Sequence, residues 1–429
     1  MRIGIQTWGS EGDIRPFLAL SAGLAQAGHR VTLVVTAVEE YNYSPVAERL
    51  GFDLKAIATP IVDDIEKFED IGRLIVYETN PLKQASELFE SLFEPYVAQM
   101  YQASLTLCET NDLVIGHYFC YPLAIAAEEK GVRCINVLLV YNILETQYAP
   151  PLGFPNLGVL SNKLCWKLVS KIISKTLLTY PNRLRTLRGL SPVKDMIRDV
   201  WLSKTMNLVA VSPSLCERRE DWPDSHKICG FFNLPEDAQH WEMPASLVDF
   251  LQSGEAPVYM TFGSLMPQRK SERKAAVELF TRAANLAQCR AIIQVNESEQ
   301  AVLSAAHNIY YLGRAPHHKI FPQCAAVVHH GGAGTTQSAC TAGLPSIVVA
   351  HIAEQVFWGK ELQKLGLAPS PLHRRTLTAE RLAKKIRLVL RSPHMKQSAI
   401  QLRRKMAGED GVKRALAFIG EFLRAEFGK

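Results

Sequence analysis

Phosphate is what the run His329-His330-Gly331-Gly332-Ala333-Gly334-Thr335-Thr336 could hold. An apolar, strand-like stretch at 325–328 precedes it and a helix-like stretch at 337–341 follows it. The first backbone N–H groups of a helix lack intrahelical acceptors and carry the positive end of its dipole, so they attract anions without a metal. Glycine at 331, 332 and 334 removes the Cβ atoms that would keep a phosphate oxygen off the main chain, and His330, Thr335 and Thr336 add side-chain donors. Such a turn also serves tight strand-to-helix packing, and the run is neither G-x-G-x-x-G nor G-x-x-x-x-G-K-[ST].

Two further loops carry chemistry. After a first strand comes Thr7-Trp8-Gly9-Ser10-Glu11-Gly12-Asp13-Ile14-Arg15-Pro16, where small residues let a ligand approach and Asp13 stands beside a helix start. Asp13 is either a carboxylate available to a substrate or the N-cap of a helix over 15–27. Thr261-Phe262-Gly263-Ser264 repeats the small-residue pattern after a strand at 258–261.

The elements that must position these loops alternate strand and helix. Strand-like runs fall at 2–6, 30–35, 113–115 and 134–138, then at 258–261, 291–294, 309–311, 325–328 and 346–349. This is the βαβ rhythm of a parallel sheet covered by helices, and it occurs twice. The rhythm lapses at Gly230-Phe231-Phe232-Asn233-Leu234-Pro235-Glu236-Asp237, which reads as the linker. The expected division is 1–230, a linker at 231–245, a second domain at 246–405, and a terminal helix at 406–429. Ligands of open α/β sheets bind beyond the carboxyl ends of the strands, so two such domains facing each other would form a cleft.

Composition sets outer limits. A chain of 429 residues, 47% hydrophobic, can bury two sizeable cores. It has no run of 18 or more apolar residues and no signal-like start, so a cytoplasmic location is expected. Its nine cysteines are scattered without a C-x-x-C pair, which fits free thiols and argues against zinc. The net charge of +6 is too mild for a nucleic-acid footprint.

Taken together, the motifs resemble the inverting UDP-glycosyltransferase superfamily, most of all its sterol glucosyltransferase and antibiotic (glycopeptide, macrolide) glycosyltransferase branch. The resemblance covers nearly the whole chain. It rests on Gly9-Ser10-x-Gly12-Asp13-x-x-Pro16, Thr261-Phe262-Gly263-Ser264, Arg314-Ala315-Pro316-His317, the run at 329–336, Gly343-Leu344-Pro345-Ser346 and Glu354-Gln355-x-x-Trp358 in that order. It implies an α/β protein of two facing Rossmann-like domains, the GT-B fold, with the active site in the interdomain cleft. The first domain would hold the acceptor and the second the nucleotide sugar, with a terminal helix over 412–427 packing back on the first.

The implied reaction is inverting transfer of a hexose, glucose in the family's common pattern, from a UDP- or dTDP-sugar to a hydroxyl of a hydrophobic acceptor: a sterol, lipid, polyketide or aromatic natural product. Asp13 matches the position of the family's base. A carboxylate with an ordinary pKa near 3.9 accepts a hydroxyl proton only late in bond formation, and burial would strengthen it. His117 falls where plant members carry the Asp that orients their His, which implies a reversed dyad with Asp13; contact with the acceptor, or filling of the cleft wall, is the alternative. Donor contacts are implied for Gly9, Ser10, Gly263, Ser264, Arg314, Ala315, His330, Gly331, Gly332, Gly334, Thr335, Glu354 and Gln355. No D-x-D motif is present, so no metal and no cofactor beyond the nucleotide sugar is expected. Glu354-Gln355 stands where the family carries Asp-Gln, a departure that bears on the sugar, and Arg314 stands where plant members stack a Trp on uracil.

Acceptor contacts are expected from Trp8, Tyr118, Phe119 and Tyr141. Lys163, Lys167, Lys171 and Lys175 lie four apart beside Leu164, Leu168 and Ile172. On a helix this gives basic and apolar stripes suited to peripheral contact with the inner membrane face through 160–178. An ordinary domain helix with a solvated lysine face is the plainer account. Two other functions compete: a nucleotide-sugar epimerase, disfavoured by the Asp13 and aromatic loops, and a non-catalytic nucleotide-sugar-binding protein.

Overall fold

The computed structural model describes residues 1–38, 42–58, 70–73, 76–235, 241–263, 269–300, 303 and 306–428, without the side chains of 58, 297 and 298. Ser264 lies outside the described residues. The chain divides into two compact units: Met1–Asp63, Leu82–Ala238 and Glu409–Lys429 in the first, Asp64–Pro81 and Gln239–Gly408 in the second. The expected first domain ran unbroken over 1–230. Instead Asp64–Pro81 clusters with the second unit, where Asp70 pairs with Arg269 at 3.0 Å and Arg73 pairs with Glu272 on the helix Lys270–Ala287. These ion pairs between exposed side chains are invisible to a search for apolar periodicity.

Among the described residues, the first unit has seven strands: β1 (Arg2–Gly9), β2 (Arg30–Ala37), β3 (Asp53–Ala58), β4 (Leu113–His117), β5 (Cys134–Leu138), β6 (Met206–Val209) and β7 (His226–Ile228). All pairs are parallel, in the order β3-β2-β1-β4-β5-β6-β7. Ile3, Ile5, Val31, Leu33, Val35, Leu113, Ile115, Ile135, Val137 and Leu208 are buried, because helices cover both faces of a parallel sheet and leave no polar side. The terminal helix Gly411–Phe427 adds Ala415, Ile419 and Leu423 to this core. It approaches the helix Glu11–Gln26 so closely that a Cβ on Gly23 would stand 2.4 Å from Val412 Cγ1.

The second unit has, among the described residues, β8 (Val258–Met260), β9 (Ala291–Gln294), β10 (Ile309–Leu312), β11 (Ala326–His329), β12 (Ser346–Ala350) and β13 (Leu372–His373), ordered β10-β9-β8-β11-β12-β13. Both sheets therefore reverse direction at one place: between β1 and β4, and between β8 and β11. A loop leaving either strand of such a pair turns away from its neighbour, so a crevice opens at their carboxyl ends.

Two local boundaries differ from the sequence expectation. The helix after the glycine-rich run is Ala333–Ala342, four residues earlier than 337, because Thr336 N already donates to Gly332 O at 2.9 Å. The first helix starts at Glu11, so Asp13 lies inside its first turn and Ser10 takes the N-cap position.

Candidate functional site

In the first unit, the crevice between β1 and β4 holds Asp13 and His117. Asp13 N donates to Ser10 O at 2.9 Å, and Asp13 Oδ2 accepts from Ser10 N (2.9 Å) and Ser10 Oγ (3.1 Å). The carboxylate is thereby folded back over Gly9, where φ is +134° and a Cβ would stand 2.4 Å from Asp13 Oδ2. A residue with a side chain would meet both the positive φ and the carboxylate, so glycine is required there. These bonds use one oxygen and leave Oδ1 facing the crevice.

Burial pushes the Asp13 carboxyl up to about 6, against the smaller opposing effect of the Ser10 hydrogen bonds. With 36% of its side-chain surface open to solvent, the group keeps access to a ligand, and that open fraction tempers the effect of burial. Capping is thus part of its role, but a cap alone needs no raised pKa.

His117 ends β4 and is buried, with burial pushing its imidazole down to about 3. Phe119 N donates to His117 Nδ1 at 3.3 Å, which leaves the proton on Nε2. That Nε2 lies 3.9 Å from Asp13 Oδ1. The pair is a neutral donor facing a carboxylate, beyond direct hydrogen-bond distance by about one ångström.

Aromatic rings enclose His117: Phe17, Tyr118 and Phe119 have centroids 5.8, 4.8 and 5.5 Å away. Of the residues expected to touch an acceptor, Trp8 and Tyr118 are buried, Trp8 edge-on to Phe93 at 5.0 Å. Phe119 and Tyr141 are half-buried, and Tyr141 Oη donates to Leu215 O at 3.0 Å. The sequence reading missed Phe89, Phe93 and Trp201. They sit on two π-helical turns, Phe89–Phe93 and Ile197–Trp201, and Phe119 meets Phe89 at 5.6 Å and Trp201 at 5.7 Å. A π turn breaks the 3.6-residue period, so periodicity gives no sign of it.

In the second unit, the crevice between β8 and β11 holds Gly263 and His330. A Cβ on Gly263 would stand 2.6 Å from His330 Cε1, and Thr261 Oγ1 fixes the turn by accepting from Gly263 N at 2.7 Å. His330 is buried, its imidazole is pushed down to about 4 by burial, and its Nδ1 has no hydrogen-bond partner among the described residues. Its Nε2 faces Gly332, where a Cβ would stand 2.4 Å away. Gly332 caps the helix Ala333–Ala342, whose N–H groups at Ala333, Gly334 and Thr335 precede the first i−4 bond. His329 faces inward: its Nδ1 accepts from Gly331 N at 3.1 Å and it is fully buried. Thr336 is likewise buried rather than presented to a ligand.

Gln355 Oε1 accepts from His351 N (2.7 Å) and Ile352 N (3.3 Å), so its carbonyl oxygen holds the start of the helix Ala353–Lys364. Glu354 is half-buried in the first turn of that helix. Arg314 is half-buried and Ala315 buried in the loop after β10. Among the described residues, no three His, Cys, Asp or Glu side chains group as metal ligands.

Residues 280–413 match the C-terminal domain of the erythromycin biosynthesis protein CIII-like family. Curated proteins similar to the chain include glycosyltransferases whose names give sterol and O-mycaminosyltylonolide substrates. It is 29% identical over 432 residues to O-mycaminosyltylonolide 6-deoxyallosyltransferase of Streptomyces fradiae, covering 98% of this chain and 97% of that one. It is 28% identical over 437 residues to a sterol 3-beta-glucosyltransferase of Arabidopsis thaliana, covering 97% of this chain but 64% of the longer plant protein. The fold is that of solved GT-B glycosyltransferases: the kitacinnamycin glycosyltransferase superposes with a TM-score of 0.68 at 18% identity over 98% of this chain and 99% of that one. VinC in complex with dTDP gives 0.64 at 18%, covering 99% of each chain.

The second unit also carries a cation that the sequence reading passed over. Arg374 follows β13, whose pairing sets His373 level with Ala350, so Arg374 stands beside His351. Its guanidinium carbon lies 5.0 Å from the Phe262 ring centroid, next to Gly263. Burial lowers its pKa from the usual arginine value, against the opposing charges of Tyr77 and Glu272. β13 is two residues long, too short to register as a strand in the sequence, so nothing marks the loop behind it as a strand end.

Proposed function

We propose that this chain is an inverting glycosyltransferase that moves a hexose from a nucleoside diphosphate sugar, UDP- or dTDP-linked, to a hydroxyl of a hydrophobic acceptor. The observation that carries the reading is Asp13, a carboxylate aimed into a topological switch point with its pKa raised to about 6. At neutral pH such a group is mostly ionised yet a stronger base than an exposed aspartate. It takes the proton from the acceptor hydroxyl as that oxygen attacks the anomeric carbon and the diphosphate departs from the opposite face. His117 Nε2–H steadies the ionised Asp13 through Oδ1.

The leaving diphosphate is met by the helix N-terminus at Ala333–Thr335, by His330 donating one N–H as a neutral imidazole, and by Arg374. These are fixed dipoles and a fixed charge placed where negative charge grows, which lowers the barrier without a metal. The NH₂ of Gln355 and the carboxylate of Glu354 contact the sugar. The macrolide and sterol substrates in the relatives' names, together with the aromatic wall around His117, support an apolar acceptor.

Calorimetry with EDTA present, titrating UDP, dTDP, GDP and NAD in turn, tests the donor half. Binding of UDP or dTDP supports the reading and fixes the donor for a screen of hydrophobic alcohols. Binding of NAD alone, or of none, overturns it.

A further inference from the structure

We propose that the face of the helix Val159–Leu177 turned away from the core docks on an anionic lipid bilayer, independently of the sugar-transfer reading. The helix is fixed to its unit by Asn162, Trp166 and Ser170, which bond to Gln147 O (3.0 Å), Ala149 O (2.8 Å) and Asp195 Oδ2 (2.7 Å). Every fourth position from Asn162 to Ser174 is buried, and the exposed positions between them are Lys163-Leu164, Lys167-Leu168 and Lys171-Ile172, followed by Lys175. A solvated face needs the lysines but not the aliphatics. Leu160 is 83% exposed, Leu164 68% and Leu168 48%, and the preceding loop adds Leu157 at 75%. A continuous exposed apolar row of this kind marks a surface that meets something.

Charge identifies what it meets. Residues 146–194 hold eight of the chain's 48 basic residues and none of its 42 acidic ones, so the remainder of the chain is formally −2. Arg183, Arg185 and Arg188 are paired with Glu94, Glu128 and Glu129, whereas none of Lys163, Lys167, Lys171 and Lys175 joins an ion pair among the described residues. A groove alongside the helix is lined by Lys167, Lys171, Lys175, Lys194 and Arg198 with Ser170, Ser174 and Leu178, five cations against the one carboxylate of Asp195, which Ser170 engages, so the groove favours anionic headgroups. Lysines interleaved with leucines on one face, without acids, match an interfacial helix whose aliphatics enter the acyl boundary while ammonium groups stay at headgroup level. Among the described residues no helix is long and apolar enough to cross a membrane, so the contact is peripheral.

The test is co-sedimentation of the full chain with phosphatidylcholine vesicles, with and without phosphatidylglycerol, at low and high salt. Binding is expected with phosphatidylglycerol, weakened by salt, and reduced at least about tenfold both in K163Q/K167Q/K171Q/K175Q and in L160S/L164S/L168S. These positions are exposed, so both variants should keep the wild-type circular dichroism and nucleotide affinity, which separates this proposal from the transferase reading. Absent vesicle binding, or binding that neither variant alters, overturns it. So does light scattering that shows a dimer dissolved by the leucine variant in a chain that ignores vesicles, because the face would then belong to a second copy.

Discussion

Asp13 Oδ1 and His117 Nε2 lie 3.9 Å apart at the carboxyl ends of β1 and β4, and their environments push the two groups in opposite directions. The carboxyl rises to about 6 and the imidazole falls to about 3, so across the neutral range the pair is a carboxylate beside a neutral ring. The histidine is thereby excluded as the base and left as an N–H donor.

Replacing Asp13 with Asn is expected to lower kcat/KM roughly a hundredfold to ten-thousandfold, the usual contribution of a positioned base. The fold should not suffer. The folded carboxyl has a pKa of about 6 against 3.8 for the ordinary group, so its stabilising effect is present below about pH 4 and lost as pH rises through 6. At pH 8 the ionised group costs stability, and Asp13→Asn, which still accepts from Ser10 N, should show an equal or higher Tm by differential scanning calorimetry. A lower Tm at pH 8 would mean that the raised pKa is misassigned.

The pH dependence of kcat/KM should show an acid limb near pH 6, falling tenfold per unit below it, with no contribution from His117 above about pH 4. Removing the N–H with His117→Leu should move that limb upward, since the ionised Asp13 loses the nearby N–H dipole 3.9 Å from its Oδ1. His117→Gln, which can donate, should restore part of the shift. A limb that stays in place in His117→Leu would reduce His117 to a filler of the aromatic wall.

The sheets were legible in the sequence because parallel strands buried on both faces are continuous apolar runs, as 134–138 and 291–294 show by matching β5 and β9. Four strands were not: β3 and β6, of six and four residues, and β7 and β13, of three and two; length alone is not the reason, since the three-residue β8 was expected at 258–261, and these four are defined by pairing with a neighbour rather than by their own pattern. Asp13, His330 and Gly332 were legible because loop chemistry is local. Arg374 and the π-helical Phe93 were not, because what makes them notable is a partner distant in sequence, Phe262 for the one and Trp8 for the other.

Gly9→Ala should be one of the more damaging small substitutions in the first unit. It places a Cβ at a φ of +134° and 2.4 Å from Asp13 Oδ2, so either the backbone or the carboxylate must move. The expected cost is about 1–3 kcal/mol by urea denaturation, with a loss of turnover larger than that stability change explains. Nucleotide affinity should be unchanged if the second unit alone binds the diphosphate, and a fall in that affinity would bring Gly9 and Ser10 back among the donor contacts.

Gly332→Ala and Arg374→Gln probe the diphosphate half from two sides. The alanine Cβ would meet His330 Nε2 at 2.4 Å and tilt the ring off the helix start, while the glutamine removes the cation beside Phe262. Each is expected to weaken UDP or dTDP binding about tenfold or more, an amount consistent with one lost charge-assisted hydrogen bond. Arg374→Lys should recover part of the loss if charge is what matters, and none if the flat guanidinium over Phe262 is the recognising feature. Binding of the nucleoside without phosphates should be unaffected in all three variants. If nucleoside binding falls as far as diphosphate binding, Arg374 acts on the base rather than on the leaving group.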